Sequence, residues 1–137
     1  MTDWQALWAV LMCSAEGVST IHECVYPNRF RQYTNILGPM GATFELFNPE
    51  VENPEKIYNF YMENTKTEDR HACKIHGGVK FKGGEFTIDD LRAGASTLLA
   101  AISGEGTTII HNVEQIDRGY EDLDGKLIQM GAKIRRV

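Results

Sequence analysis

One stretch of this chain occurs twice. Glu16-Gly17-Val18-Ser19-Thr20-Ile21-His22 aligns with Glu105-Gly106-Thr107-Thr108-Ile109-Ile110-His111 at an offset of 89 residues, and the same register sets Arg29 over Arg118. A one-residue slip then brings Leu37 and Met40-Gly41-Ala42 over Leu127 and Met130-Gly131-Ala132. Recurrence on this scale means two copies of one supersecondary unit, each unable to bury its apolar face alone. The units run over about 1–88 and 89–137, with a polar stretch at about 48–70 that contains Pro49 and Pro54 interrupting the first.

At 137 residues the chain suits one domain. Its 14 basic and 19 acidic residues give a net charge of −5, which argues against a nucleic-acid backbone as partner but leaves room for a small anion held by local arginines. No apolar run reaches the roughly 20 residues of a membrane span, and no signal-peptide pattern opens the sequence, so a cytoplasmic location is expected. Cys13, Cys24 and Cys73 are odd in number and scattered, which reads as reduced thiols and not as a disulfide framework or a zinc site. Cys13 and Cys24 fall in apolar stretches and read as small core residues.

Thr2-Asp3-Trp4-Gln5 has the spacing of a capping box and predicts a helix to Ala15, with Leu7, Val10, Leu11 and Ser14 on one face. A strand follows over Val18–Val25, a helix over Asn28–Gly38 and a strand over Thr43–Phe47. Within the interruption Ile57–Met62 reads as an extra strand, and short strands are expected at Cys73–His76, Val79–Phe81 and Phe86–Ile88. The second copy then predicts a helix from Asp89 to Ser103, a strand over Thr107–Val113, a helix from Asp117 to Met130 and a closing strand over Lys133–Val137. This order makes an α/β (α+β) layer of helices on mixed sheet.

Asp90-Leu91-Arg92-Ala93 and Ile116-Asp117-Arg118-Gly119-Tyr120 each set an Asp just before an Arg where a strand gives way to a helix. Such a junction aims a guanidinium and free backbone N–H groups at one point, which suits a phosphorylated or carboxylated ligand. Each segment reads equally as a helix capped by its Asp beside a solvated Arg.

Taken together, Thr2-Asp3-Trp4-Gln5, Ala15-Glu16-Gly17, Asn28-Arg29-Phe30, Met40-Gly41-Ala42, Asp90-Leu91-Arg92-Ala93, Glu105-Gly106-Thr107-Thr108 and Ile116-Asp117-Arg118-Gly119-Tyr120-Glu121 resemble the enolpyruvyl transferases of the UDP-N-acetylglucosamine 1-carboxyvinyltransferase type, in their C-terminal portion. The resemblance covers nearly all of the chain outside about 48–70, which is then an insertion in a family hairpin. The sister family, enolpyruvylshikimate phosphate synthase, resembles this chain in fold without sharing these strings. The resemblance implies βαβαββ-type units in an inside-out α/β barrel, of which this chain supplies two. It also implies a second domain, a lysine-asparagine pair and a cysteine loop that these residues do not match, so residues 1–137 are expected to be inactive alone, as a piece of a longer protein or one product of a split gene.

The implied substrates are UDP-N-acetylglucosamine and phosphoenolpyruvate, in bacterial peptidoglycan precursor synthesis, with no metal and no organic cofactor. Asp3 matches the aspartate that contacts the sugar 3-hydroxyl and serves as its base, a role that a carboxylate in hydrogen-bond reach of an alcohol fits. Val25 matches a position whose backbone touches the nucleotide sugar. Arg92 and Arg118 match the arginines that grip phosphoenolpyruvate, and Asp90 matches an aspartate implicated in proton transfer. Arg29 is a further cleft candidate or a structural pairing residue. His22 and His111 read as structural. Pro27, Gly94 and Gly125 depart from the family pattern, the last interrupting the final helix.

The rival reading is a non-catalytic binding or interaction module, since similar units occur in RNA terminal phosphate cyclases; the charge of −5 and the lack of a basic stripe count against RNA. A third expectation concerns surface. Trp4, Leu7, Trp8 and Leu11 on the first helix, with Leu98, Leu99 and Ile102 on its counterpart, are candidates for an uncovered apolar face that would drive self-association.

Overall fold

In the computed structural model, which describes residues 2–137, a 3-10 turn at Thr2–Trp4 leads into helix α1 (Gln5–Ser14) and strand β1 (Val18–His22). There follow α2 (Arg29–Leu37), β2 (Thr43–Phe47), the short α3 (Pro54–Ile57), a 3-10 turn at Met62–Asn64 and β3 (Ala72–His76). The rest comprises β4 (Glu85–Thr87), α4 (Leu91–Ser103), β5 (Ile109–His111), α5 (Glu114–Asp117) and α6 (Leu123–Gln129). Strand β3 lies between β1 and β2 and is antiparallel to both, with His76 opposite Val18 on one side and Thr43 on the other. Strands β1 and β2 therefore run parallel, connected through α2. Strands β4 and β5 pair in parallel across the crossover helix α4. The α/β class expected from the sequence is the class observed.

Helix α4 is the centre of the packing. Ala93, Gly94, Ala95, Ser96, Thr97, Leu98 and Ala100 are buried around its whole circumference, and it packs on both α1 and α2. A helix apolar or small on every face belongs inside. Its two buried hydroxyls leave nothing unpaired, because Ser96 and Thr97 both donate to the Ala93 carbonyl at 2.9 and 2.7 Å. Ala6, Ala9, Val10 and Cys13 form the buried face of α1, and these small side chains allow the close approach. Phe30, Tyr33, Leu37 and Met40 complete the core against Ile75 and Phe81. The three-stranded sheet covers this helical interior, and alternate residues of β1 remain exposed.

Repeat-related positions share backbone geometry. Gly17 and Gly106 both take positive φ (91° and 88°), as do Gly41 and Gly131 (110° and 101°). Behind the second pair, Ala42 N–H donates to the Leu37 carbonyl at 3.0 Å and Ala132 N–H to the Leu127 carbonyl at 2.9 Å. Each copy thus stops its second helix in the left-handed region that glycine reaches without a Cβ penalty.

The structure corrects several local expectations. Thr2 and Gln5 do not form a capping box: α1 has no side-chain cap, and both side chains turn to Glu23 instead. The buried face of α1 is not the Leu7–Leu11–Ser14 face, since Leu11 and Ser14 are exposed. Ile57–Met62 is not a strand; its aromatic content goes to Tyr58 and Phe60, which stack with His71. Val79–Phe81 is irregular, with Val79 N–H donating to the Cys13 carbonyl at 2.8 Å. The last helix is divided between α5 and α6 by Arg118–Asp122, where Asp122 takes φ 49°, and not at Gly125. Among the described residues Lys133–Val137 forms no strand. Leu98 is buried, so it is no part of an uncovered face, whereas Trp4, Trp8, Leu11 and Ile102 are exposed.

Candidate functional site

Asp90 ends the extended approach to α4 and caps it. Its Oδ1 accepts from the N–H groups of Arg92 and Ala93 at 2.9 and 3.0 Å, satisfying two of the free donors of the first turn. The capping fixes Arg92 one residue into the helix. From there Arg92 Nε donates to Asp3 Oδ1 at 2.8 Å, and its Nη1 lies 3.8 Å from Asp90 Oδ2. Three of the residues singled out in the sequence thus converge, with one guanidinium between two carboxylates. The Arg92 side chain is 29% exposed and that of Asp3 63%, so both are open to an incoming ligand. A planar fork of N–H donors beside a carboxylate in hydrogen-bond range can hold an anionic substrate and take a proton from a hydroxyl.

Arg118 is exposed and donates to Gln115 Oε1 at 3.2 Å. Its segment runs past the start of α4, since a side chain added at Gly119 would meet Leu91. The preceding Asp117 does not act as a cap. It ends α5 and is held by Arg136, whose Nη1 and Nη2 reach its carboxylate at 2.8 and 2.6 Å while Nε donates to Asp124 Oδ2 at 2.8 Å. Arg136 lowers the pKa of both carboxyls, and they in turn raise its own. The two Asp–Arg segments are therefore built differently: in the first the Asp caps a helix and the Arg pairs with Asp3, and in the second the Asp is clasped by Arg136.

Glu23, which no sequence pattern marks, organises the other wall. Glu23 is 2% exposed, and its carboxylate accepts from Thr2 Oγ1, Gln5 Nε2, Val25 N–H and Tyr26 N–H at 2.7, 2.7, 2.6 and 3.1 Å. Arg29 is buried behind this wall, donating from Nε to Thr2 Oγ1 at 3.1 Å and from Nη1 to Gln32 at 3.2 Å, with its guanidinium 4.5 Å from the Tyr26 ring centroid. Val25 is half-buried and lines an open cleft of about 530 Å³ with Thr2, Gln5, Trp8, Met12, Glu23 and residues of β1. No local spacing signals Glu23, because its upstream partners lie 18 and 21 residues away.

Cys13 and Cys73 are buried free thiols, pushed up to about 11 and about 12 by burial, and Cys24 is half-buried. Among the described residues no group of three His, Cys, Asp or Glu side chains is placed to hold a metal ion. His22 and His111 make different polar contacts, the first with the Tyr58 hydroxyl at 2.9 Å and the second with Glu85 at 2.8 Å. Among the described residues no helix is long and apolar enough to cross a membrane.

Comparison with known proteins adds to this geometry. The family model of EPSP synthase (3-phosphoshikimate 1-carboxyvinyltransferase) matches residues 1–127. The UDP-N-acetylglucosamine 1-carboxyvinyltransferase of Shewanella amazonensis is 34% identical over 136 residues, covering 99% of this chain and 27% of the relative. That of Chlamydia trachomatis is 38% identical over 135 residues, covering 98% of this chain and 29% of the relative. The chain thus spans between a quarter and a third of the length of these relatives. The crystal structure of the enolpyruvyl transferase NikO from Streptomyces tendae superposes with a TM-score of 0.76 at 28% identity, covering 98% of this chain and 26% of that one. An EPSP synthase structure from Acinetobacter baumannii shares the fold, with a TM-score of 0.67 at 15% identity over 98% of this chain and 26% of its own. With the match running through the first helix, the Asp90–Arg92 cap and the Arg118 segment alike, the chain belongs to the EPSP synthase (3-phosphoshikimate 1-carboxyvinyltransferase) family of enolpyruvyl transferases.

Proposed function

We propose that residues 1–137 form one wall of an enzyme that transfers the enolpyruvyl group of phosphoenolpyruvate to the 3-hydroxyl of UDP-N-acetylglucosamine. The observation that carries this reading is the Arg92 guanidinium standing between Asp3 and Asp90. The likeness to relatives named UDP-N-acetylglucosamine 1-carboxyvinyltransferase supports that choice of acceptor. In this reading the chain is two repeat units, about 1–88 and 89–137, carrying an insertion at about 48–70.

Asp3 takes the proton of the sugar 3-hydroxyl as its oxygen attacks C2 of phosphoenolpyruvate, and C3 gains a proton to give a tetrahedral intermediate. Loss of a proton from C3 then restores the double bond as the C2–O bond to phosphate breaks. Asp90 serves the proton movements at C3. Arg92 and Arg118 hold the carboxylate and phosphate charges, and preorganised donors of this kind act most strongly where water is excluded. The Val25 backbone meets the nucleotide sugar, and Arg29 supports the same wall from behind. No metal or organic cofactor enters this scheme. The setting is the bacterial cytoplasm, at the start of peptidoglycan synthesis, and so bears on cell-wall biogenesis, cell shape and division.

The test is the acceptor dependence of phosphate release from phosphoenolpyruvate by the full-length enzyme that contains these residues. Release that requires UDP-N-acetylglucosamine and collapses in Asp3→Asn is the expected result. Release driven instead by 3-phosphoshikimate, or undiminished in Asp3→Asn, would overturn the proposal.

A further inference from the structure

Four donors and no acceptor converge on the buried Glu23 carboxylate, filling its lone pairs. Two come from Thr2 and Gln5, which flank Asp3 in sequence, and both bind Oε2. The other two are the Val25 and Tyr26 N–H groups, both on Oε1. Neither side-chain donor is free to turn elsewhere. The Thr2 hydroxyl accepts from Arg29 Nε at 3.1 Å, and the Gln5 carbonyl accepts from the Tyr33 hydroxyl at 3.2 Å. The Glu23 backbone is held as well, its N–H donating to the His71 carbonyl at 2.7 Å, while the Cys24 carbonyl accepts from Asn59 N–H at 2.7 Å.

We infer that Glu23 is a positioning residue that fixes the Asp3 turn and the Val25 backbone relative to one another, so that base and sugar-binding backbone address one nucleotide-sugar substrate. The inference rests on the function proposed above. Glu23 is 2% exposed and both its oxygens are taken by protein donors, so it acts on the substrate through these partners. Its two oxygens divide the work: one holds the base side of the cleft, the other the backbone side. Gln has nearly the same shape but one accepting oxygen, so its NH2 must face two of the four donors and two contacts are lost.

The experiment uses the full-length enzyme and compares wild type with Glu23→Gln. The expected result is a fall in kcat of about 10- to 100-fold, the scale on which small misplacements of reacting groups act. The KM for UDP-N-acetylglucosamine rises, that for phosphoenolpyruvate stays within about twofold, and a single cooperative melt is kept. Thr2→Val and Gln5→Met each remove one donor and are expected to shift the same two parameters by less; they carry the test if Glu23→Gln does not fold. Kinetics within about twofold of wild type in every folded variant would overturn the inference, as would equal increases in both KM values. A wild-type enzyme inert toward UDP-N-acetylglucosamine would take down the proposed function and this inference with it, whereas an active wild type with unaffected variants takes down the inference alone.

Discussion

Asp3 and Arg92 are 89 residues apart and meet through a 2.8 Å hydrogen bond from Nε to Oδ1. That separation equals the offset of the internal repeat, so the two residues hold the same position in the two copies, Asp3 in the 3-10 turn that leads into α1 and Arg92 in the first turn of α4. One copy supplies a carboxylate and the other a guanidinium. The repeat therefore brings unlike charges to one point by presenting the same structural position twice.

Replacing either arginine in the full-length enzyme separates function from stability. Arg92→Ala or Arg118→Ala should remove a charge-assisted contact worth about 1.5–3 kcal/mol, a loss of roughly 10- to 150-fold in kcat/KM for phosphoenolpyruvate. Arg→Lys should recover only part of this, because an ammonium cannot form the planar fork. The melting temperature should barely move, since the Arg92–Asp3 pair is solvent-accessible and such pairs contribute about 0–1 kcal/mol. Steady-state kinetics unchanged within about twofold in both alanine variants would mark the two side chains as solvated helix residues.

Residues 1–137 expressed as a separate polypeptide should show no enolpyruvyl transfer and should self-associate. They match only 27% and 29% of the length of the two curated relatives. Trp4, Trp8 and Leu11 are 55%, 48% and 53% exposed along the outer side of α1, a grouping of large apolar side chains that favours association. Each side chain fully covered would contribute about 1.5–3 kcal/mol. Trp8→Lys should therefore shift the particle toward monomer in light scattering, and a wild-type polypeptide that stays monomeric at high concentration would refute the association.

What could be read from the sequence was what local chemistry decides. The α4 helix and its Asp90 cap were legible because a cap is a contact between near neighbours, and β2 was legible as a short run that begins where Gly41 turns the chain. Thr2 and Gln5 also matched a local rule, but Glu23 outcompeted it by offering them a buried carboxylate from the end of β1. The Ile57–Met62 run has strand propensity, yet its Tyr58 and Phe60 rings pack on His71, a residue beyond the reach of local patterning. Asp117 looked like a second Asp90 until Arg136 claimed it from the far end of the chain. The convergence of Asp3 with Arg92 was implied only by resemblance, because the repeat offset marks the two positions as equivalent without saying that equivalent positions meet.

Close backbone approach yields a prediction about folding. A Cβ at Gly77 would lie 1.9 Å from the Ala15 carbonyl oxygen, just past α1, at the point where Gly77 N–H donates to the Gly17 carbonyl at 2.8 Å and extends the pairing of β3 with β1. Both clashing partners are backbone, so relief requires moving β3 away from α1. Gly77→Ala should therefore destabilise by about 1–3 kcal/mol in chemical denaturation. Gly17→Ala makes a useful contrast: nothing surrounds its Cβ position, and its cost is the positive φ of 91° alone. Equal stability of Gly77→Ala and wild type would show that the sheet can shift without loss.

His71 is 1% exposed, with its ring centroid 5.2 Å from that of Tyr58 and 5.1 Å from that of Phe60. Its Nδ1 has no partner among the described residues. Burial pushes its pKa below the ordinary histidine value; nearby Asp69 pulls it up, while His22 on β1 and neighbouring Arg70 push it down. A histidine whose folded pKa is depressed binds its proton more readily in the unfolded chain, so its contribution is fully present above the unfolded value and is lost as pH falls. The melting temperature should therefore be level from about pH 8 to about pH 6.5 and decline below that, toward the folded pKa. His71→Phe keeps a ring in the stack and removes the titration, so it should flatten this decline. An unchanged slope in His71→Phe would assign the acid sensitivity to other groups, and a wild-type melting temperature level down to about pH 5 would show that His71 takes up its proton without cost to the fold.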